Sequence, residues 1–147
     1  MIPNLFIRLT SRRRPEKLWA AIPNPEFARQ YWGGHVNISD WKKGSTWRHE
    51  YTEENNRVRV MGEVLESTPP KRLVITWFAP DNEADVSTVT FDIKPVKDLV
   101  RLDVVHSKLS ADMARKVSGG WPLVLSSMKS YLETGKGLDI FAKPKAA

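Results

Sequence analysis

Three histidines, His35, His49 and His106, are the residues best suited to proton transfer or ligand contact near neutral pH. None stands at metal-ligand spacing from another, so a metal site would have to be assembled by the fold, and no metal or cofactor is expected. His49-Glu50 opens like a zinc-peptidase helix, but Glu53 occupies the position of the second histidine. Gly135-Lys136 resembles the end of a phosphate loop. However, Ser130 replaces that loop's first glycine, and Gly137 replaces the hydroxyl residue that would hold magnesium. Neither a Gly-x-Ser-x-Gly elbow nor a dinucleotide-binding Gly-x-Gly-x-x-Gly occurs. With 0 Cys, thiolate nucleophiles, iron–sulfur clusters and disulfides are excluded.

Strand alternation says more about these residues than motif spacing does. Val100, Leu102, Val104 and His106 fall on one face, with Arg101 and Asp103 on the other, so a histidine ends an inward row. It fits a core-edge imidazole satisfied by a backbone carbonyl, with a catalytic or ligand-binding role as the competing reading. Trp47, His49 and Tyr51 share a face opposite Thr46, Arg48 and Glu50, as either a cavity lining or an edge strand with half-exposed rings. Leu73, Ile75 and Trp77 also share a face, but Val74 and Phe78 are apolar too and leave the inner side of that strand open. The 6 Trp are spread along the whole chain, where large flat rings can fill a core or line a pocket.

The elements that must position these residues run in a simple order. Leu5 to Thr10 alternates as a half-buried strand, and Pro15 to Ile22 reads as a short helix with proline at its first position. Asn24 caps a second helix from Pro25 to Trp32, which Gly33-Gly34 ends. Strands come next over Val36–Ile38, Thr46–Tyr51, Val58–Leu65, Arg72–Phe78, Val86–Ile93 and Leu99–His106, with a polar loop expected from Ala79 to Asp85. Short turns between them predict an antiparallel meander. From Asp112, the apolar positions Val117, Trp121, Val124, Leu125, Met128 and Leu132 step by three and four along a long helix. Gly119-Gly120-Trp121-Pro122 should kink or restart it.

At 147 residues, with 41% hydrophobic and 27% charged residues, the chain is expected to be one domain. A chain of this size buries roughly 70% of its unfolded surface. The domain is expected over residues 1–134, with 135–147 as a short, mobile basic tail. The net charge of +6 falls mostly in the first half, where Arg12-Arg13-Arg14 reads as a solvated turn. Aromatic residues do not interleave with a basic stripe, so nucleic acid is not an expected partner. No stretch approaches a membrane span and the N-terminus lacks a secretory pattern, so a cytoplasmic location is expected and the sequon at Asn37 is taken as chance.

Several ordered segments resemble one family. They are Pro15–Ile22 with Asn24-Pro25-Glu26-Phe27 and Tyr31-Trp32-Gly33-Gly34, then Ser39–Trp47, Gly62–Glu66, Pro69–Val74 with Thr76-Trp77, and Gly120-Trp121-Pro122 through Leu132–Gly135. Together they are similar to the SRPBCC superfamily, in its branch like the activator of heat-shock chaperone ATPase. The resemblance implies an α+β helix-grip fold: a curved antiparallel sheet of six or seven strands around a long C-terminal helix, two short helices after the first strand, and an apolar cavity between sheet and helix. A hydrophobic small molecule, lipid or aromatic metabolite, is the expected ligand. Trp47, His49, Tyr51, Trp77, His106, Trp121 and Leu125 are the candidate lining, with His49 and His106 as polar contacts. A cyclase- or hydrolase-like enzyme with a cavity histidine, and a chaperone-cofactor-like interaction module, are the alternatives. The co-chaperones of this branch carry a second domain not found in these residues, so full activation of a chaperone ATPase is not expected. A monomer or homodimer is.

Overall fold

The computed structural model describes residues 3–141. Strand β1 (Leu5–Ser11) is followed by helices α1 (Pro15–Ala21) and α2 (Pro25–Tyr31), and then by six further strands. These are β2 (His35–Ser39), β3 (Thr46–Tyr51), β4 (Arg57–Thr68), β5 (Arg72–Ala79), β6 (Asn82–Val96) and β7 (Leu99–Ser107). Helices α3 (Ala111–Ser118) and α4 (Gly120–Thr134) close the order. The sheet runs β1-β7-β6-β5-β4-β3-β2 and is antiparallel throughout. It is thus a six-strand meander with the first strand added beside the last, curled into a half-barrel around the C-terminal helix.

Local chemistry sets the boundaries. Asn24 accepts hydrogen bonds from the backbone N–H of Glu26 (3.0 Å) and Phe27 (3.4 Å), satisfying donors that α2 leaves open. Arg14, ahead of α1, supplies no such bond. The Asn82–Asp85 segment, expected in a polar loop, is instead the start of β6, because Ala79 pairs with Asn82 and only Pro80-Asp81 turns the hairpin. Register overrides weak strand propensity there. The C-terminal helix restarts at Gly119, and Pro122 lies in the first turn of α4, where its missing N–H has no intrahelical partner to lose.

The inward face of α4 is Trp121, Val124, Leu125, Met128 and Leu132, each buried against the concave sheet. A side chain of that kind contributes about 1.5–3 kcal/mol when fully buried. Two cations fix the far end of the helix. Arg13 donates to the carbonyls of Leu132 (2.7 Å) and Glu133 (3.3 Å), and Lys129 Nζ donates to the carbonyl of Thr10 (2.6 Å). The middle of the basic run is therefore a helix C-cap rather than part of a solvated turn.

The segment after Gly135 also differs from expectation. It folds back across α2 and α4 as far as Phe141, with Leu138 N–H donating to Ser127 Oγ (2.8 Å) and Ser130 Oγ donating to Lys136 O (2.7 Å). Gly137 permits this, because a Cβ there would stand 2.2 Å from Gln30 O. The rest of the expected tail, residues 142–147, lies outside the described residues. Among the described residues no helix is long and apolar enough to cross a membrane.

Gly62 on β4 permits a close approach to β5. A Cβ there would sit 2.1 Å from Thr76 O, the same carbonyl that accepts from Trp47 Nε1 at 2.7 Å. Replacing Gly62 with Ala is expected to lower stability by about 1–3 kcal/mol, read as a reduced urea midpoint with an unchanged slope.

Candidate functional site

The space between sheet and helices is filled at one end and open at the other. Around Leu125, Met128 and Leu132 it is solid core. Near the junction of α3 and α4 it widens into a cavity of about 500 Å³, within the range of small-molecule sites. Helices α3 and α4 supply Met113, Lys116, Val117, Trp121 and Val124 to one wall. Opposite them stand His49, Val60 and Trp77 from the sheet, and Trp32, His35 and Phe141 close the end. The aromatic rings brace one another, with Trp121 centred 5.6 Å from Trp32 and 5.5 Å from Trp77, and Trp32 4.7 Å from His49. A second void behind Trp77, beside Trp47 and Ile75, is only about 10 Å³.

Charge enters at the mouth. His49 pairs with Val60 and Glu50 with Val58, which leaves Arg59 unpaired in a β-bulge. The bulge brings two consecutive residues, Arg59 and Val60, to the same cavity. Arg59 lies 3.7 Å from Glu54, and Lys116 lies 3.1 Å from Asp112.

The three histidines play two different parts. His106 is fully buried. Trp121 Nε1–H donates to its Nδ1 (3.0 Å), so the proton sits on Nε2, which donates to Ser87 Oγ (2.7 Å); Ser87 in turn donates to Trp77 O (3.0 Å). Every group in that chain is satisfied with a neutral ring, and burial lowers the His106 pKa to about 4. His35 and His49 stack face to face, 4.5 Å apart and 8° from parallel, with Tyr51 stacked on the outer side of His35 at 4.6 Å. His35 Nδ1–H donates to the carbonyls of Trp32 (3.0 Å) and Gly33 (3.2 Å). His49 Nδ1–H donates to Asn37 Oδ1 (2.7 Å), and the Asn37 amide donates to Ile22 O (3.5 Å). Burial holds both rings below the ordinary histidine value, and the neighbouring imidazole adds to the effect on His49. Among the described residues no group of three His, Asp or Glu side chains converges as a metal site.

Of the residues singled out from sequence, His49, Trp77 and Trp121 meet at the cavity. Trp47 borders the small void, Leu125 is core, His106 lies behind Trp77 and Trp121, and Tyr51 covers His35 from outside. The partners of His106 are two side chains rather than a backbone carbonyl. Alternation does not reveal His35, Trp32, Arg59 or the wall from α3. The Gly33-Gly34 turn beside His35 and the apolar Met113–Val117 step are the available signals.

A curled antiparallel sheet gripping a C-terminal helix, with a cavity between them, defines the helix-grip α+β fold of the SRPBCC superfamily. The family model described as Activator of Hsp90 ATPase homolog 1-like protein matches residues 12–133, and the chain belongs to that family. No curated protein matches it. Among solved structures it is similar to CalU16 from Micromonospora echinospora, with 20% identity, TM-score 0.72, and coverage of 90% of this chain and 77% of that one. It is also similar to the Aha1 dimer from Colwellia psychrerythraea, with 21% identity, TM-score 0.73, and coverage of 92% and 100%. DynU16, a putative protein in the dynemicin biosynthetic locus, shows 18% identity and TM-score 0.72, with coverage of 92% of this chain and 50% of that one.

An unfolded histidine binds a proton below about pH 6.5, whereas the folded chain keeps His106 neutral down to about 4. The unfolded state therefore binds more protons in this window, so stability is complete above pH 6.5 and falls toward pH 4, by up to ~1.4 kcal/mol per pH unit per histidine. Urea midpoints measured from pH 7.5 to 4.5 are expected to drop accordingly. His106→Phe should lower the midpoint at pH 7.5 and flatten the slope.

Proposed function

We propose that the protein binds a hydrophobic small molecule, a lipid or an aromatic metabolite, in the cavity between the sheet and helices α3 and α4. The observation that carries this reading is an open space of about 500 Å³ walled by three braced tryptophans. Filling it removes apolar surface from water at about 25 cal/mol per Å², and rings already held in place lose little freedom on binding. The likeness to DynU16, from a biosynthetic locus, supports a metabolite as ligand. The family match and the likeness to an Aha1 dimer also support association with a chaperone or a second copy, which need not compete with a ligand inside the cavity.

A second reading is a cyclase- or hydrolase-like enzyme. It is supported by His49, whose Nδ1 is fixed by Asn37 while Nε2 is left free to take a proton at the cavity wall.

A thermal-shift panel of fatty acids and polycyclic aromatics tests the binding reading, since a ligand at 100 times its Kd should add about 2.7 kcal/mol. Val117→Trp is expected to fill the cavity and remove the shift. A panel in which nothing stabilises the wild-type chain would overturn the proposal. For the enzyme reading, His49→Gln should reduce turnover of a bound compound by about 10²–10⁴-fold; equal turnover in the variant would remove His49 as the base.

A further inference from the structure

The polar side of the cavity narrows the ligand class, an inference that rests on the binding reading. Carbonyl oxygens only accept, so the proton of neutral His35 lies on Nδ1 and its Nε2 is a lone-pair acceptor. The same tautomer holds for His49 through Asn37, whose amide is oriented by Ile22 O. Among the described residues neither Nε2 has a hydrogen-bond partner, and neither is a sealed unsatisfied atom: Arg101 Nε is the single buried side-chain polar atom without one. His49 is 4% exposed and lines the cavity, so its Nε2 is reached through that space. The indole N–H groups of Trp32 and Trp77, two residues that border both this cavity and the small void behind it, have no acceptor among the described residues.

The residues that line the cavity thus carry a free acceptor, at His49, and free donors, at Trp32 and Trp77, within an apolar wall. A carbonyl or ether would set lone pairs against the His49 lone pair, and a carboxylate, drawn to Arg59 and Lys116 at the mouth, would leave that lone pair without a donor. An ammonium group would meet Arg59 and Lys116 at the mouth. An amide N–H could serve the imidazole but could not accept from an indole. A hydroxyl oxygen does both with one atom. We infer that the ligand is an aromatic molecule with a free hydroxyl, which donates to Nε2 of His49 while its oxygen accepts an indole N–H from Trp32 or Trp77. Because burial holds both imidazoles below their ordinary pKa, the lone pair is available at neutral pH.

The test is isothermal calorimetry at pH 7.5 with 2-naphthol, its methyl ether 2-methoxynaphthalene, and naphthalene. The naphthol is expected to bind about tenfold more tightly than the ether. In His49→Phe, which keeps a ring stacked on His35, the ratio of the two affinities should fall to about twofold or less. Equal affinities in the wild-type chain, or a preference that survives in His49→Phe, overturn the hydroxyl assignment and leave the cavity reading standing. If none of the three compounds binds, the hydroxyl assignment falls as well, and the thermal-shift panel decides the cavity reading separately. The wild-type comparison needs no variant to fold.

Discussion

The hydrogen-bond chain from Trp121 through His106 and Ser87 to the carbonyl of Trp77 joins helix to sheet where the interior changes from packed to hollow. Trp121 sits in the first turn of α4, immediately after the break at Gly119. Its indole N–H reaches β7, while its ring braces Trp32 and Trp77 from the side. Each member of the chain both gives and receives, except at its ends. Such a chain has one direction and one protonation state, so it locks the helix to the sheet in a single arrangement. Below it Leu125, Met128 and Leu132 complete the core; above it the same two elements part.

The hollow is maintained by stiff parts. Its tryptophans are almost wholly buried except where they face the cavity, and they support one another ring against ring. The imidazoles are fixed by hydrogen bonds at Nδ1 and by stacking, leaving one edge of each for other uses. A wall built this way is organised before anything enters, which separates it from an under-packed core.

Much of this is legible in sequence, and the failures have physical causes. Alternation places the inward rows of β1 and β7 but leaves that of β3 open, where Glu50 is buried beside His49, and Asn24 and Gly119-Gly120 mark the ends of helices correctly. The start of β6 escapes because Asn82-Glu83-Ala84-Asp85 has poor strand propensity and is held by pairing with β5. His35 escapes because its strand buries three consecutive residues, His35, Val36 and Asn37, and shows no alternation to read. Arg59 reaches the cavity only through a bulge, an irregularity of pairing that no single strand reveals. His106 is correctly placed inward, but whether an inward histidine faces a cavity or stands one ring behind it depends on Ser87 and Trp121, which lie on other elements.

The pairing of β1 with β7 has a consequence for how the molecule comes into being. Leu5 meets His106, and Arg13 and Lys129 tie the start of the chain to its last helix. On a ribosome, the first strand must therefore wait, with one edge and its apolar side uncovered, until β7 and α4 have emerged. Contacts so distant in sequence make folding slow relative to stability. The cavity comes last of all, since Phe141 closes its end only after α4 is in place. The site is therefore assembled only after the segments most distant from β1 have joined it.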